Sequence, residues 1–324
     1  MKRIVSCLLV LIMLLGSFTA CSAPENTETT PTTEQTEPVV TESPEEADVL
    51  KIMILGSSRS IDAFQVLYDV FKDQMPDQKL VLGIMYYSGC SMSMHANFIK
   101  ENAFVYKYYR NDSGRWDITD NANMDMGLKD QKWDVVFIQA GNGDTRNNMN
   151  LETRKFLRDY VDKIVQHPHQ LWWHSTWFNS TDPSLYKAPK TAEDAAAVDQ
   201  VAQLTETNEA AKAYVLDDPM FSGHVASGTP VMYALKHLNV TERELFGDHT
   251  HLTDFGYLLV GYSFYAQFTG KPVTQINLDT IPAHLRHGTK QFMGPLTVTE
   301  EMKQIILETV DYTMKNPWSV PIGE

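Results

Sequence analysis

The stretch "ILGSSRSIDAF", Ile54 to Phe64, joins the end of an apolar run to a small polar turn and then to residues with helical spacing. The run Val49 to Leu55 has the length and apolar content of a buried strand. The segment that follows, Ser60 to Met75, has apolar residues three and four positions apart, which predicts a helix. A strand that passes through Gly-Ser-Ser into a helix N-terminus forms either a reactive site or a tight corner, and the rest of the chain must distinguish the two.

Strand and helix patterns alternate along the rest of the chain. Apolar runs predict strands at 79–87, 133–140 and 170–176, a hairpin at 103–119, and helices at 150–165, 191–214, 229–238, 254–270 and 300–314. Short strands that alternate with helices are typical of βαβ units. We therefore expect an α/β fold, a parallel central sheet covered by helices on both faces with a small inserted hairpin. Ligands in such sheets bind beyond the carboxyl ends of the strands.

The first 48 residues have the composition of a targeting segment and a tether. Residues 1–21 combine a basic start, an apolar run and small residues that lead to Cys21, which predicts a signal peptide. Its end resembles a bacterial lipobox, so Cys21 is the expected lipidation site. Residues 22–48, rich in Thr, Glu and Pro, predict a disordered linker. Residues 49–324 are expected to form one domain, lipid-anchored to the membrane at the extracellular face of the bacterial cell envelope, or secreted if Cys21 is not lipidated.

Charge and cysteine content exclude several classes of protein. The net charge of −14 argues against a nucleic-acid partner, which needs a basic face. Cys90 is the only cysteine after the signal and lipidation positions, so no internal disulfide and no Cys-x-x-Cys metal motif is expected. The run "DHTH" from Asp248 to His251 contains metal-ligand residue types, and metal binding is the weaker interpretation of it. No metal and no cofactor is predicted.

Three strand ends carry small polar residues, and a late loop carries an acid and a histidine. Acyl transfer needs a nucleophilic hydroxyl, a base that takes its proton, a carboxylate that orients the base, and donors for the oxyanion. Ser58 at the first strand–helix turn fits the nucleophile, with Ser57 as the alternative. His251 fits the base and Asp248 the orienting carboxylate.

Candidate oxyanion donors follow the same three strands. The backbone N–H groups of Ser58 and Gly89 are the first two, because a helix N-terminus favours negative charge and glycine allows close approach. The side-chain amide of Asn142 is the third, with that of Gln139 as a substitute.

Four residues beside these strand ends are candidate substrate contacts. Arg59 can bind an anionic substrate group or, alternatively, meet an acidic residue of the chain. His95, Trp173 and His174 also follow or end predicted strands. Aromatic side chains at such positions form either core or a stacking surface for sugar rings.

The order of these motifs resembles that of the SGNH (GDSL-like) hydrolase superfamily. The stretches "YYSGCSMSMH", "WDVVFIQ" and "GDHTHL" further resemble a bacterial lipoprotein branch of it. The resemblance implies a flavodoxin-like three-layer α/β/α fold and a catalytic triad of Ser58, Asp248 and His251. Two departures stand out: Ser57 occupies a position that is usually Asp or Asn, and Asn142 comes one position early.

These observations predict a serine esterase that forms an acyl-enzyme. The resemblance and the expected position at the cell surface imply the substrate, a short O-acyl group, such as acetyl, on cell-surface or environmental carbohydrate. The alternative is a glycan- or solute-binding lipoprotein on the same fold, which the two departures favour.

Overall fold

A computed structural model describes residues 49–140, 150–187, 191, 193–194, 198–279 and 297–322. The strands of this part of the chain are β1 (Val49–Gly56), β2 (Lys79–Tyr86), β3 (Tyr106–Asn111), β4 (Trp116–Ala122), β5 (Val135–Ala140), β6 (Gln170–Ser175) and β7 (Gly223–Ala226). Its helices are α1 (Ser58–Phe64), α2 (Leu67–Gln74), α3 (Met92–Lys100), α4 (Met124–Asp130), α5 (Leu151–Val165), α6 (Gln200–Tyr214), α7 (Gly228–His237), α8 (Glu242–Leu245), α9 (Asp254–Thr269) and α10 (Glu300–Lys315). The predicted signal peptide with Cys21 and the predicted linker lie outside the described residues.

All seven of these strands belong to one sheet with the order β4-β3-β2-β1-β5-β6-β7. Strands β2, β1, β5, β6 and β7 run parallel, and β3 and β4 form an antiparallel hairpin on the β2 side. The predicted parallel sheet with an inserted hairpin is thereby confirmed. The chain order reverses between β1 and β5, which is where open α/β sheets bind their ligands.

Helices cover both faces of the sheet, as the apolar content of β1 requires. Alternate side chains of β1 point to opposite faces. Ile52 and Ile54 enter one core cluster, with residues of α1, α2, α9 and α10, and Met53 and Leu55 enter the other, with residues of α3, α4 and α5. The fold therefore has the three layers expected of an α/β/α protein.

Helix α9 lies almost entirely inside the protein. Every residue from Phe255 to Ala266 is buried, as expected for a helix that is apolar on all sides. The hydroxyl of Thr253 caps its N-terminus by accepting from the Gly256 N–H at 3.2 Å. Because the helix begins just after His251, the buried helix fixes the end of the loop that carries this residue.

The structure differs from the sequence-based expectations in local detail. The predicted helix at 60–75 is two helices, α1 and α2, separated at Gln65 and Val66. The Gln65 carbonyl accepts a hydrogen bond from the Trp116 indole at 3.4 Å at this break. Strand β7 was not predicted because four residues are too few to show a period, and α3 and α4 were also missed. Within the predicted helix at 191–214, α6 covers the part from Gln200 onward, and residues 192 and 195–197 lie outside the described residues.

The two outer strands of the sheet, β4 and β7, have different surroundings. Strand β4 exposes its five central residues, which include Asp117 and Asp120. At β7, the Ala226 N–H donates to Gln267 Oε1 at 2.9 Å and the Ala226 carbonyl accepts from Gln267 Nε2 at 3.2 Å. No helix of the described residues is long and apolar enough to cross a membrane.

Candidate active site

The turn between β1 and α1 is held by the side chain of Gln139, which extends from the end of β5. Its Oε1 accepts from the Ser57 backbone N–H at 3.1 Å and from the Ser60 hydroxyl, while its Nε2 donates to Ser57 Oγ at 2.9 Å. All three side chains are buried. Buried polar groups that satisfy one another in this way fix a single geometry, so the start of α1 is set by a neighbouring strand.

Gly56, the last residue of β1, allows this close approach. A Cβ atom at this position would lie 1.9 Å from Ser60 Oγ and 2.7 Å from Gln139 Oε1. A side chain would therefore displace the hydrogen bonds that hold the turn. The glycine is required here by space rather than by its backbone angles.

Ser58 is the hydroxyl residue of this turn that remains accessible. It is the first residue of α1 and is half-buried, whereas Ser57 and Ser60 are buried and bonded to Gln139. This difference favours Ser58 over Ser57 as the reactive hydroxyl. Among the described residues, Ser58 and His251 are not hydrogen-bonded to each other. Such bonds are often long before a substrate binds.

Asp248 and His251 form a close pair on the loop that precedes α9. His251 Nδ1 lies 3.0 Å from Asp248 Oδ1 and 2.9 Å from Asp248 Oδ2. The backbone N–H groups of Thr250 and His251 each donate to Asp248 Oδ1 at 2.8 Å. The carboxylate thus holds both the ring and the loop, and it leaves Nε2 as the ring nitrogen available for proton transfer.

The charges around this pair shift both of its pKa values. Burial opposes ionisation of Asp248, but the hydrogen bonds from His251 and Thr250 outweigh it and hold the pKa of Asp248 well below its ordinary value. Burial also disfavours the His251 cation. The hydrogen bond to Asp248 and the negative charges of Asp62 and Asp248 outweigh burial and the charge of Arg59, so the pKa of His251 is raised. The imidazolium is therefore the stabilised form of this ring.

Two residues of α1 connect the serine turn to the histidine loop. Asp62 Oδ2 accepts from the Leu252 backbone N–H at 3.4 Å, one residue after His251. Asp62 lies four positions after Ser58 and thus on the same face of the helix. Asp62 therefore links the helix that begins at Ser58 to the backbone next to His251. Both residues lie at the carboxyl end of the parallel strands.

Arg59 makes the second connection between α1 and the histidine loop, and it is buried. Its guanidinium donates to the Trp177 carbonyl, and it donates to Asn179 Oδ1 at 2.7 Å, which also accepts from the Thr250 hydroxyl at 3.4 Å. Only 3% of Arg59 is exposed, and burial lowers the pKa of Arg59 to about 9 against the opposing charges of Asp62 and Asp248. Arg59 was predicted to bind an anionic substrate group or an acidic residue. The structure places it between α1 and the segment after β6.

The predicted oxyanion residues have different surroundings. Gly89 is exposed in a turn with φ of +63°, a conformation that favours glycine. The Tyr87 N–H donates to the Gly56 carbonyl at 3.2 Å, which places this turn beside the serine turn. Gln139 is fully buried and bonded to the serine turn, so its placement favours a supporting role. Asn142 lies outside the described residues.

The other three predicted substrate contacts lie in the interior. His95, Trp173 and His174 are fully buried. His95 Nδ1 lies 2.9 Å from the Tyr106 hydroxyl, and His174 Nε2 lies 2.9 Å from the Ser227 hydroxyl. Burial lowers the pKa of His95 to about 4 and that of His174 to about 3, so both rings are neutral at pH 7. These positions favour packing over contact with a sugar.

The first histidine of the "DHTH" run, His249, stacks on an aromatic ring. His249 and Tyr186 have ring centroids 4.7 Å apart and ring planes 23° apart. Within the ranges that the structure describes, no three His, Cys, Asp or Glu side chains converge as a metal site.

The sequence reasoning missed Asp62 and Asn179. Asp62 lies on a helix of ordinary composition, and its only sequence signal is its spacing of four from Ser58. Asn179 follows the aromatic run after β6, and nothing in its local sequence indicates a contact with Arg59.

Fold and site together define a class: a three-layer α/β protein that carries a serine at the first strand–helix turn and an Asp–His pair at the same sheet edge. The chain belongs to the family described as "Domain of unknown function (DUF4886)", whose model matches residues 51–278. A DUF4886 family protein from Bacteroides uniformis has a similar crystal structure, with a TM-score of 0.66 and 20% identity over 85% of this chain and 98% of that one. This likeness confirms the fold.

Two more distant structures are also similar. One is a provisionally assigned GDSL-like lipase from Parabacteroides merdae, with a TM-score of 0.42 and 11% identity over 68% of this chain and 95% of that one. The other is an acetyl xylan esterase, with a TM-score of 0.35 and 10% identity over 68% of this chain and 99% of that one. No curated protein matches the sequence.

Proposed function

We propose that this protein is a serine hydrolase of the SGNH type that cleaves carboxylic esters. The observation that carries the proposal is the Asp248–His251 pair, which is joined through Leu252 and Asp62 to the helix that begins at Ser58. A hydroxyl, an imidazole and a carboxylate in this order are the groups that acyl transfer requires.

In the proposed reaction, Ser58 Oγ attacks the ester carbonyl while its proton moves to His251 Nε2. Asp248 accepts from Nδ1 and stabilises the imidazolium that forms. The Ser58 and Gly89 backbone N–H groups receive the oxyanion. The C–O bond to the alcohol then breaks, and His251 returns the proton to the leaving oxygen. Water, deprotonated by the same ring, releases the acid and restores Ser58.

The proposed substrate is a short acyl group, such as acetyl, on carbohydrate. This part of the proposal is supported by the expected position at the cell surface, where a lipid on Cys21 and the linker at 22–48 would hold the domain. The competing proposal is a binding protein without activity. It is favoured by the lack of a hydrogen bond between Ser58 and His251 in the described residues.

The decisive experiment compares the hydrolysis of p-nitrophenyl acetate by the wild type, Ser58→Ala and Ser57→Ala. We expect Ser58→Ala to lower kcat by about 10³-fold or more, as the loss of a nucleophile does. Ser57→Ala is the matched control in the same turn. It should keep most of the activity but lose about 1–3 kcal/mol of unfolding free energy, because the buried hydrogen bond from Gln139 Nε2 to Ser57 Oγ is lost.

A fluorophosphonate probe gives a second reading of the same proposal. The probe forms a covalent bond only with an activated serine, and peptide mapping identifies which one. Labelling of Ser58 supports the hydrolase. A wild type that neither turns over the ester nor reacts with the probe, yet binds glycans, would establish the binding protein instead.

A further inference from the structure

Asp62 is a buried carboxyl group that the reaction described above does not use. Only 2% of the residue is exposed. The Tyr257 hydroxyl of α9 donates to Asp62 Oδ1 at 3.1 Å, and the Leu252 backbone N–H donates to Oδ2 at 3.4 Å. A carboxyl group is rarely buried this deeply unless it is paired or hydrogen-bonded, and these two donors meet that condition.

The position of Asp62 relates it to both ends of the proposed proton transfer. It lies one helical turn after Ser58 on the same face of α1. Its bond to Leu252 fixes the backbone next to His251, whose ring is held by Asp248. Two carboxyl groups on different elements therefore control the placement of one imidazole.

The charged groups that face this region come from four segments. Helix α1 contributes Arg59 and Asp62, the loop contributes Asp248 and His251, and α9 contributes Tyr257 and Asp254. The exposed Lys187 approaches Asp248 to 3.9 Å.

These charges have opposite effects on the pKa values of Asp62 and His251. Burial raises the pKa of Asp62 to about 7, against the lowering effects of His251, Tyr257, Leu252 and Arg59. The charge of Asp62 in turn helps to raise the pKa of His251. Ionisation of one group thus favours protonation of the other.

We propose that Asp62 is a positioning residue for the histidine of the active site: it fixes the backbone after His251 and stabilises the imidazolium that forms when the Ser58 proton is transferred. The inference rests on the proposed hydrolase function. In this step the Ser58 O–H bond breaks and an N–H bond forms on His251 Nε2. In its ionised form Asp62 neither gains nor loses a proton in this step, because its negative charge acts through space.

The test is Asp62→Asn in the full chain, with Asp73→Asn as the matched control. Asp73 lies on α2 and accepts from the Tyr262 hydroxyl of α9 at 2.9 Å, so it has the same kind of contact at a different place. Two readouts are measured: the pH profile of kcat/KM with p-nitrophenyl acetate, and the NMR titration of the His251 ring in a Ser58→Ala background. His251→Gln identifies the ring signal.

We expect Asp62→Asn to move the acid limb of the profile and the NMR titration of His251 to lower pH by about 0.5–1 unit, as the removal of one nearby negative charge does. At the plateau, kcat/KM should fall about tenfold. Asp73→Asn should move neither. If Asp62→Asn does not fold, Tyr257→Phe should shift His251 in the same direction by less, because Asp62 loses a hydrogen bond that favours its ionised form.

The hydrolase proposal and the proposed role of Asp62 are refuted by different results. If Ser58→Ala remains active, the hydrolase proposal falls. If Ser58→Ala is inactive but Asp62→Asn leaves both the profile and the titration within about 0.2 unit of the wild type, the hydrolase stands and the role of Asp62 is refuted.

Discussion

The packing around Gly56 predicts that a single added methyl group at this position will lower the free energy of unfolding. In Gly56→Ala, the new methyl group would lie 1.9 Å from Ser60 Oγ and 2.7 Å from Gln139 Oε1. Neither atom can withdraw easily, because both side chains are fully buried and bonded to each other. The perturbation is therefore both a steric overlap and the loss of a buried hydrogen-bond network.

The expected cost follows from these two effects. Overpacking of a close-packed interior costs about 1–3 kcal/mol. A buried polar group that loses its partner costs a further 1–3 kcal/mol or so. We expect the free energy of unfolding to fall by about 4 kcal/mol, a large share of the stability of an ordinary domain.

Urea unfolding of the wild type and Gly56→Ala measures this difference. Gly89→Ala is the control, since its added methyl group has no atom within 4 Å and only its φ of +63° is unfavourable. That variant should lose about 1–2 kcal/mol. Ser60→Ala, which removes the closest atom, should restore part of the loss in the double variant. A cost for Gly56→Ala no greater than that for Gly89→Ala would refute the reasoning.

Two further predictions concern the groups around the histidine loop. Arg59→Lys should lower the free energy of unfolding by about 2 kcal/mol or more, because an ammonium group cannot reproduce the forked contacts with Trp177 and Asn179; full stability of this variant in urea would contradict the role assigned to the guanidinium. Asp248 has a lowered pKa, so its contribution to stability is present above the ordinary carboxyl pKa of about 4 and is lost as the pH falls toward the folded value. The difference in unfolding free energy between the wild type and Asp248→Asn should therefore shrink as the pH falls below about 4, and a constant difference would oppose this assignment.

The sequence predicted the helices and strands that have a regular pattern or an unbroken run of apolar residues. The strands at 49–56, 79–86, 135–140 and 170–175 appeared as apolar runs of the right length. Their parallel arrangement followed from the helices between them. The Asp248–His251 pair was predicted from an acid and a histidine on one loop together with the motif order of the superfamily that the sequence resembles, and two residues three positions apart in a loop lie close together.

The remaining features depend on contacts between distant residues, which no local pattern contains. Gln139 was predicted as an oxyanion donor because it ends a strand, but its neighbour across the sheet, the turn after β1, takes up its amide. For His95 and His174 the sequence left core packing and a sugar-binding surface open, and only the contacts of the folded chain, with Tyr106 and Ser227, place both rings in the interior. The hydrogen bond between Asp62 and Tyr257 of α9 joins residues that are far apart in the sequence, so no local pattern indicates it.

The two outer strands of the sheet have a consequence for how the protein behaves at high concentration. An unprotected outer strand offers its free backbone groups to a second chain, and aggregation follows. On one side, Asp117 and Asp120 place negative charge along β4. On the other, the side chain of Gln267 occupies both backbone groups of Ala226, as a partner strand would. At high concentration, these two features would thus favour individual domains over strand-linked polymers.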